Sequence, residues 1–242
     1  MDIPQLILSA MAALVALTIH EYAHGYIAYR LGDETAKSLG RLTLNPIKHI
    51  DPIGALCMIF FHFGWAKPVP INPRNFENPR KGFALTAMAG PAINIITGFF
   101  TGFLYLLCYS LFRETGNAFV DNLEINVLLF LLYFFSINIG LGVFNLIPIP
   151  PFDGSRILNV ILPDKWYFKV MKYERQIYWG VIAWLFLGQY VYMAFMSIPF
   201  IANNSALSTM AKIFSLSDLL SDAINAIANG ILNFWRLIPM LR

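Results

Sequence analysis

Apolar residues run along this chain in long blocks, not in the short alternating or one-sided patterns of a soluble domain. The first block extends from about residue 3 to residue 31 and ends at Gly32-Asp33. At about 1.5 Å per residue, it is long enough to cross a bilayer with tilt to spare. Three more blocks follow, at about 83–112, 125–147 and 177–202. Residues 35–81 differ. They carry Asn45-Pro46, Asp51-Pro52, Lys67-Pro68, Pro70, Pro73 and Pro79, and such punctuation forbids one long helix. Within them, 41–44 and 69–71 read as short strands. The apolar stretch 53–65 is too short for a comfortable span and reads as a re-entrant or interfacial segment. Residues 219–241 are apolar at mixed helical spacing, interrupted by Ser221, Asp222, Asn225 and Asn229, and read as an interfacial helix or a weak extra span.

The pattern predicts an all-α integral membrane protein. It has about four transmembrane helices, a re-entrant, short β-containing segment at 35–81, and a C-terminal interfacial or additional helix. No internal repeat or low-complexity tract divides the chain. It reads as one membrane-embedded domain over 1–242, with a core at about 4–202 and a C-terminal helix at about 206–242.

Composition strengthens this reading. Of the 242 residues, 57% are hydrophobic and 13% are charged, against about 25% charged in an ordinary soluble domain. A soluble surface must be wetted by charge, whereas a lipid-facing one needs none. The net charge of +3 comes with no basic run interleaved with aromatics, so nothing suggests nucleic acid as a partner. Cys57 and Cys108 sit singly in apolar runs and read as small buried apolar residues. The start, Met1-Asp2, lacks the basic region of a cleaved signal.

The basic residues orient the chain. Segment 30–82 holds Arg30, Lys37, Arg41, Lys48, Lys67, Arg74, Arg80 and Lys81; segment 153–176 holds Arg156, Lys165, Lys169, Lys172 and Arg175. The short loop 113–124 sets Arg113 against Glu114, Asp121 and Glu124. Positive charge favours the cytoplasmic side. The first two segments are therefore expected in the cytoplasm and the loop outside.

Chemistry enters at His20-Glu21-Tyr22-Ala23-His24, inside the first apolar block. Positions i and i+4 of a helix share a face, so two imidazoles at that spacing can grip one Zn²⁺. The residue at i+1 is turned away by about 100°, which sets a carboxylate beside the metal, where it can take a proton from bound water. Ionisable groups at membrane depth are costly and functional by default. A catalytic zinc site needs a third protein ligand. His49 and His62 read as interfacial polar residues. Asp153 is the stronger candidate, presented by Asn145-Leu146-Ile147-Pro148-Ile149-Pro150-Pro151-Phe152-Asp153-Gly154 at a proline-broken tip. On local grounds alone it also reads as an ordinary helix N-cap. Charge counting, which uses neither motif, places both at the cytoplasmic side.

With these residues the chain resembles the site-2 protease family of intramembrane metalloproteases. The paired motifs are His20-Glu21-x-x-His24 and Asn145-x-x-Pro148-x-Pro150-Pro151-x-Asp153-Gly154. Gly90-Pro91-x-x-Asn94 and the run from Gly64 to Asn72 resemble a minimal prokaryotic branch without a PDZ insertion or CBS domain. The resemblance covers roughly residues 10–200. It implies one zinc per chain held by His20, His24 and Asp153, with Glu21 as general base and acid. It also implies Asn145 as an oxyanion stabiliser, and Asn94 is a weaker candidate for that role. The implied reaction is hydrolysis of transmembrane or signal-peptide substrates, in a prokaryotic cell membrane, at a site open toward the cytoplasm. The rival expectations are an inactive zinc-binding adaptor and a metal transporter.

Overall fold

The structure is a computed structural model that describes residues 3–54, 66–113, 115–212 and 215–241. Its frame is three long helices: α1 (Ile3–Arg30), α3 (Pro79–Leu111) and α4 (Ala118–Asn145), which pack on one another. The short helix α2 (Thr35–Ser38) follows α1. After α4 come α5 (Asp153–Ile161), the long α6 (Asp164–Met196), the short α7 (Pro199–Ala202) and α8 (Ser205–Ala211), and finally α9 (Leu216–Trp235).

Local chemistry explains where the helices start. Pro79 opens α3, where its missing N–H is no loss, and the Asn78 side chain accepts from Lys81 N at 3.0 Å. Asn117 caps α4 in the same way through Phe119 N and Val120 N. The helices begin before the apolar blocks do, at 79, 118 and 164 rather than about 83, 125 and 177. Arg80, Lys81, Asp121, Glu124 and Lys165 lie on these extra turns. Polarity marks where lipid ends, not where helical hydrogen bonding ends.

Burial runs opposite to that of a soluble protein. On α3 the buried positions are mostly small or polar, among them Ala84, Thr86, Gly90, Asn94 and Gly98, while Leu85, Met88, Ile96, Phe100 and Leu104 are exposed. Lipid tails are as apolar as leucine, so helices in a bilayer associate through close packing of small residues and interhelical hydrogen bonds. Gly98 lies against Ile139 and Gly142 against Ile95, bringing α3 and α4 together. By length and apolarity α1, α3 and α4 can each cross a membrane; Lys165–Leu185 and Leu187–Met196, meeting at 47°, add a fourth if they form one bent span.

Two expectations for 35–81 change. The pieces 41–44 and 69–71 form no strand; among the described residues the one β-type pairing is an isolated antiparallel bridge, Ile50 with Ala66. Pro68 and Pro70 remove every second N–H that a ladder would use, and Val69 N is committed elsewhere, as described below. Much of the apolar stretch 53–65 lies outside the described residues. His49, read as interfacial, is 1% exposed and bonds through Nε2 to the Thr43 carbonyl at 2.8 Å. In a segment of short turns, a ring that reaches its own loop's backbone becomes part of that loop's core. His62 lies outside the described residues. At the C-terminus, α9 packs along α3, α4 and α6, and Trp235 Nε1 donates to the Phe99 carbonyl at 2.8 Å.

Candidate active site

Helix α1 stacks His20 and His24 one turn apart, both buried, with their Nε2 atoms 3.0 Å from each other. Asp153 reaches the same point from the other side of the fold, its Oδ2 lying 3.2 Å from each Nε2. The turn after α4 makes this approach possible. A Cβ on Gly154 would stand 2.2 Å from the Leu146 carbonyl oxygen and 2.5 Å from that of Ile147, so only glycine lets the tip fold back this tightly. Asp153 is the first residue of α5, behind the N-cap position of Phe152, and no side chain caps that helix. Its carboxylate faces the imidazoles instead of serving as an N-cap.

The far side of each ring is anchored. His24 Nδ1 lies 2.7 Å from the Thr86 carbonyl, and His20 Nδ1 lies 2.5 Å from Asn94 Oδ1. A carbonyl oxygen only accepts, so each Nδ1 carries the proton and each Nε2 turns a lone pair inward. Asp153 Oδ2 is buried and has no hydrogen-bond donor. Three electron-rich atoms 3.0–3.2 Å apart, with no proton to share, repel one another unless a cation sits among them. A tetrahedral zinc about 2.0–2.1 Å from each ligand sets ligand atoms about 3.3 Å apart, close to this triangle. The donor set, two imidazoles and one carboxylate with an open side, fits a catalytic zinc site.

The open side is a cavity of about 320 Å³. His20, Glu21, His24, Asn145 and Asp153 all line it, with Pro68, Val69 and Ile71 as part of its wall. The three candidate ligands, the candidate base and Asn145 therefore meet in one space. Glu21 Oε2 accepts the Val69 N–H at 2.7 Å. The Asn145 side chain spends one N–H on the Leu141 carbonyl at 3.1 Å, and its other N–H has no partner among the described residues. Asn94 does not reach this cavity. It is 0% exposed and faces the back of His20, which removes it as an oxyanion candidate.

Gly90 has a role that spacing alone did not disclose. A Cβ there would lie 2.5 Å from His24 Nε2 and 2.6 Å from His20 Cε1. The missing side chain makes room for both rings against α3.

Sequence comparison agrees with this geometry. The profile of peptidase family M50 matches residues 8–188, which takes in both motifs. The chain belongs to peptidase family M50. Its relatives in that family include YwhC of Bacillus subtilis (strain 168), a protein named as a zinc metalloprotease, at 39% identity over 84% of this chain and 88% of YwhC. Zinc metalloprotease MJ0392 of Methanocaldococcus jannaschii is 31% identical over 67% of this chain and 37% of its own length. No solved structure matches the chain. Membership in the family and the apolar helices together identify an integral membrane peptidase.

Proposed function

We propose that this membrane peptidase is a zinc enzyme that hydrolyses peptide bonds of transmembrane or signal-peptide segments, one zinc per chain being held by His20, His24 and Asp153. The observation that carries the reading is the inward convergence of His20 Nε2, His24 Nε2 and Asp153 Oδ2, 3.0–3.2 Å from one another, beside a carboxylate that is not one of them. The names of the relatives support zinc. Zinc held this way supplies a Lewis acid and lowers the pKa of water to about 7.

The chain's own residues supply the rest. Glu21 takes the proton of the attacking water and passes it to the leaving amine. Val69 N–H holds Oε2 of Glu21, and Glu21 lines the cavity. Asn145 turns its other N–H toward the oxyanion that develops on the scissile carbonyl. A helical substrate unwinds before it is cut, because its carbonyls are otherwise hydrogen-bonded within the helix. Water enters from the cytoplasmic side of the cell membrane, the side assigned to residues 30–82 and 153–176 by their positive charge.

A transporter would need further ligand groups along a path through the spans. Among the described residues, one group of His, Cys, Asp and Glu has metal-binding geometry, and it is this one. An inactive adaptor would need Glu21 only as the acceptor for Val69 N–H, a role that glutamine can also fill. The test is Glu21→Gln, assayed for zinc content and for cleavage of a panel of membrane-helix substrates. Zinc should stay and cleavage should fall by at least about 10²-fold. Unchanged hydrolysis would reject Glu21 as the base.

A further inference from the structure

We propose that Asn94 and Asn138 form a two-amide relay that fixes the tautomer and aim of His20 as a metal ligand. They are positioning residues of the site, contributed by two different spans. The inference rests on the zinc reading above.

Both side chains are 0% exposed, Asn94 on α3 and Asn138 on α4. Asn138 Nδ2 donates to the Phe134 carbonyl at 2.8 Å. Asn94 Nδ2 donates to Asn138 Oδ1 at 2.7 Å and to the Ala16 carbonyl at 3.3 Å. Asn94 Oδ1 then accepts from His20 Nδ1 at 2.5 Å.

The direction of this chain of bonds is forced from its far end. The Phe134 carbonyl can only accept, so Asn138 must turn its NH₂ to it and its oxygen toward Asn94. Asn94 must answer with its own NH₂, which also meets the acceptor at Ala16. Its oxygen is left for His20, whose Nδ1 must therefore carry the proton. The lone pair falls on Nε2, the atom that faces His24 and Asp153. A hydrogen bond to the back of a ligating imidazole fixes its orientation and raises its basicity. His24 takes the simpler form of the same support, one backbone carbonyl at Thr86. His20 has an amide instead, and an amide can flip. Asn138 and the Ala16 carbonyl are what prevent the flip.

The bland alternative is that two buried amides hold helices together, a common use of Asn in a bilayer. The two roles separate in the response to Asn94→Asp and Asn94→Leu. Aspartate keeps an acceptor toward His20 and loses both N–H donors to the neighbouring helices. Leucine loses both functions.

The experiment measures zinc affinity by chelator competition on the purified full chain, together with the visible d–d spectrum of the Co²⁺ derivative. Asn94→Leu should weaken zinc by about 10–100-fold and change the cobalt spectrum. Asn94→Asp should keep affinity near wild type even where its thermal stability falls. Asn138→Leu, which leaves Asn94 anchored by Ala16 alone, should show a smaller loss with a shifted spectrum. If Asn94→Leu does not fold, Asn138→Leu decides: wild-type affinity and an unchanged spectrum overturn the relay. Equal zinc affinities across all the folded variants also overturn it and leave the zinc reading standing. A wild-type chain that binds no zinc overturns the proposed function itself.

Discussion

Val69 donates its backbone N–H to Oε2 of Glu21 across 2.7 Å, joining the proline-rich segment to the helix that bears the metal motif. Pro68 and Pro70 flank it, so this is the one N–H among residues 68–70. Arg41 steadies the same segment by donating from Nη2 to the carbonyls of Lys67 at 2.8 Å and Pro68 at 3.2 Å. A hydrogen bond to a charged group contributes about 1.5–3 kcal/mol. Val69→Pro removes the donor and should lower kcat by about 10–100-fold with zinc content unchanged. Val69→Ala keeps the donor and should retain most activity. Equal activity in the two variants, measured on one membrane-helix substrate, would contradict the positioning of Glu21 by this amide.

Gly90 is expected to be intolerant of even a methyl group. Alanine at this position sets a Cβ about 2.5 Å from both imidazoles, and neither ring can retreat without leaving its anchor at Asn94 or Thr86. Gly90→Ala should weaken zinc by about 10–100-fold, the range seen when support around a metal ligand is disturbed. Chelator competition on the purified variant checks this. An affinity equal to wild type would mean that α3 moves freely relative to α1.

Asp33 ties the turn after α1 to the segment at 72–75. It is 0% exposed and accepts from Thr35 N, Thr35 Oγ1, Asn72 N and Asn75 Nδ2 at 2.5–3.1 Å. Burial pushes its carboxyl up, but the hydrogen bonds from Thr35, Asn72 and Asn75 outweigh this and hold it below the usual carboxylate range. Because the folded value is depressed, the stabilisation is complete above the unfolded value, about 3.9, and is lost as pH falls through the folded one. Asp33→Asn should therefore lower the thermal midpoint in detergent at pH 7, and the gap to wild type should narrow below about pH 4. A gap that stays constant from pH 7 to pH 3 would contradict an ionised, hydrogen-bonded Asp33.

The spans and the meeting of His20 and His24 on one helix face were legible in the sequence for physical reasons. Lipid imposes long apolar blocks, and a helix turn sets His20 and His24 on one face whatever surrounds them. Asp153 was reachable because three prolines break the helix ahead of it and charge counting put it on the same side. The rest depends on contacts between distant segments. The strand read at 69–71 failed because Pro68 and Pro70 leave no ladder, although Val69 and Ile71 suit a strand. Gly90 entered only as part of the Gly90-Pro91-x-x-Asn94 motif, and its use appears once the two rings stand against it. For Asn94 the sequence left two readings, a weaker oxyanion donor or a helix–helix hydrogen bond; it takes the second, packed behind His20 and bonded to Asn138, because nothing in the spacing 90–94 says which face of α3 meets α1. His49, read as interfacial from its place in the broken segment, is buried and bonded to its own loop's backbone.

The coordination of zinc by His20, His24 and Asp153 is tested most directly by X-ray absorption at the zinc K-edge on the purified wild-type chain. The expected spectrum has stoichiometric zinc, outer-shell scattering from two imidazoles and otherwise oxygen donors, with no sulfur. A protein without stoichiometric zinc, or a shell containing sulfur or more than two imidazoles, would contradict the site described.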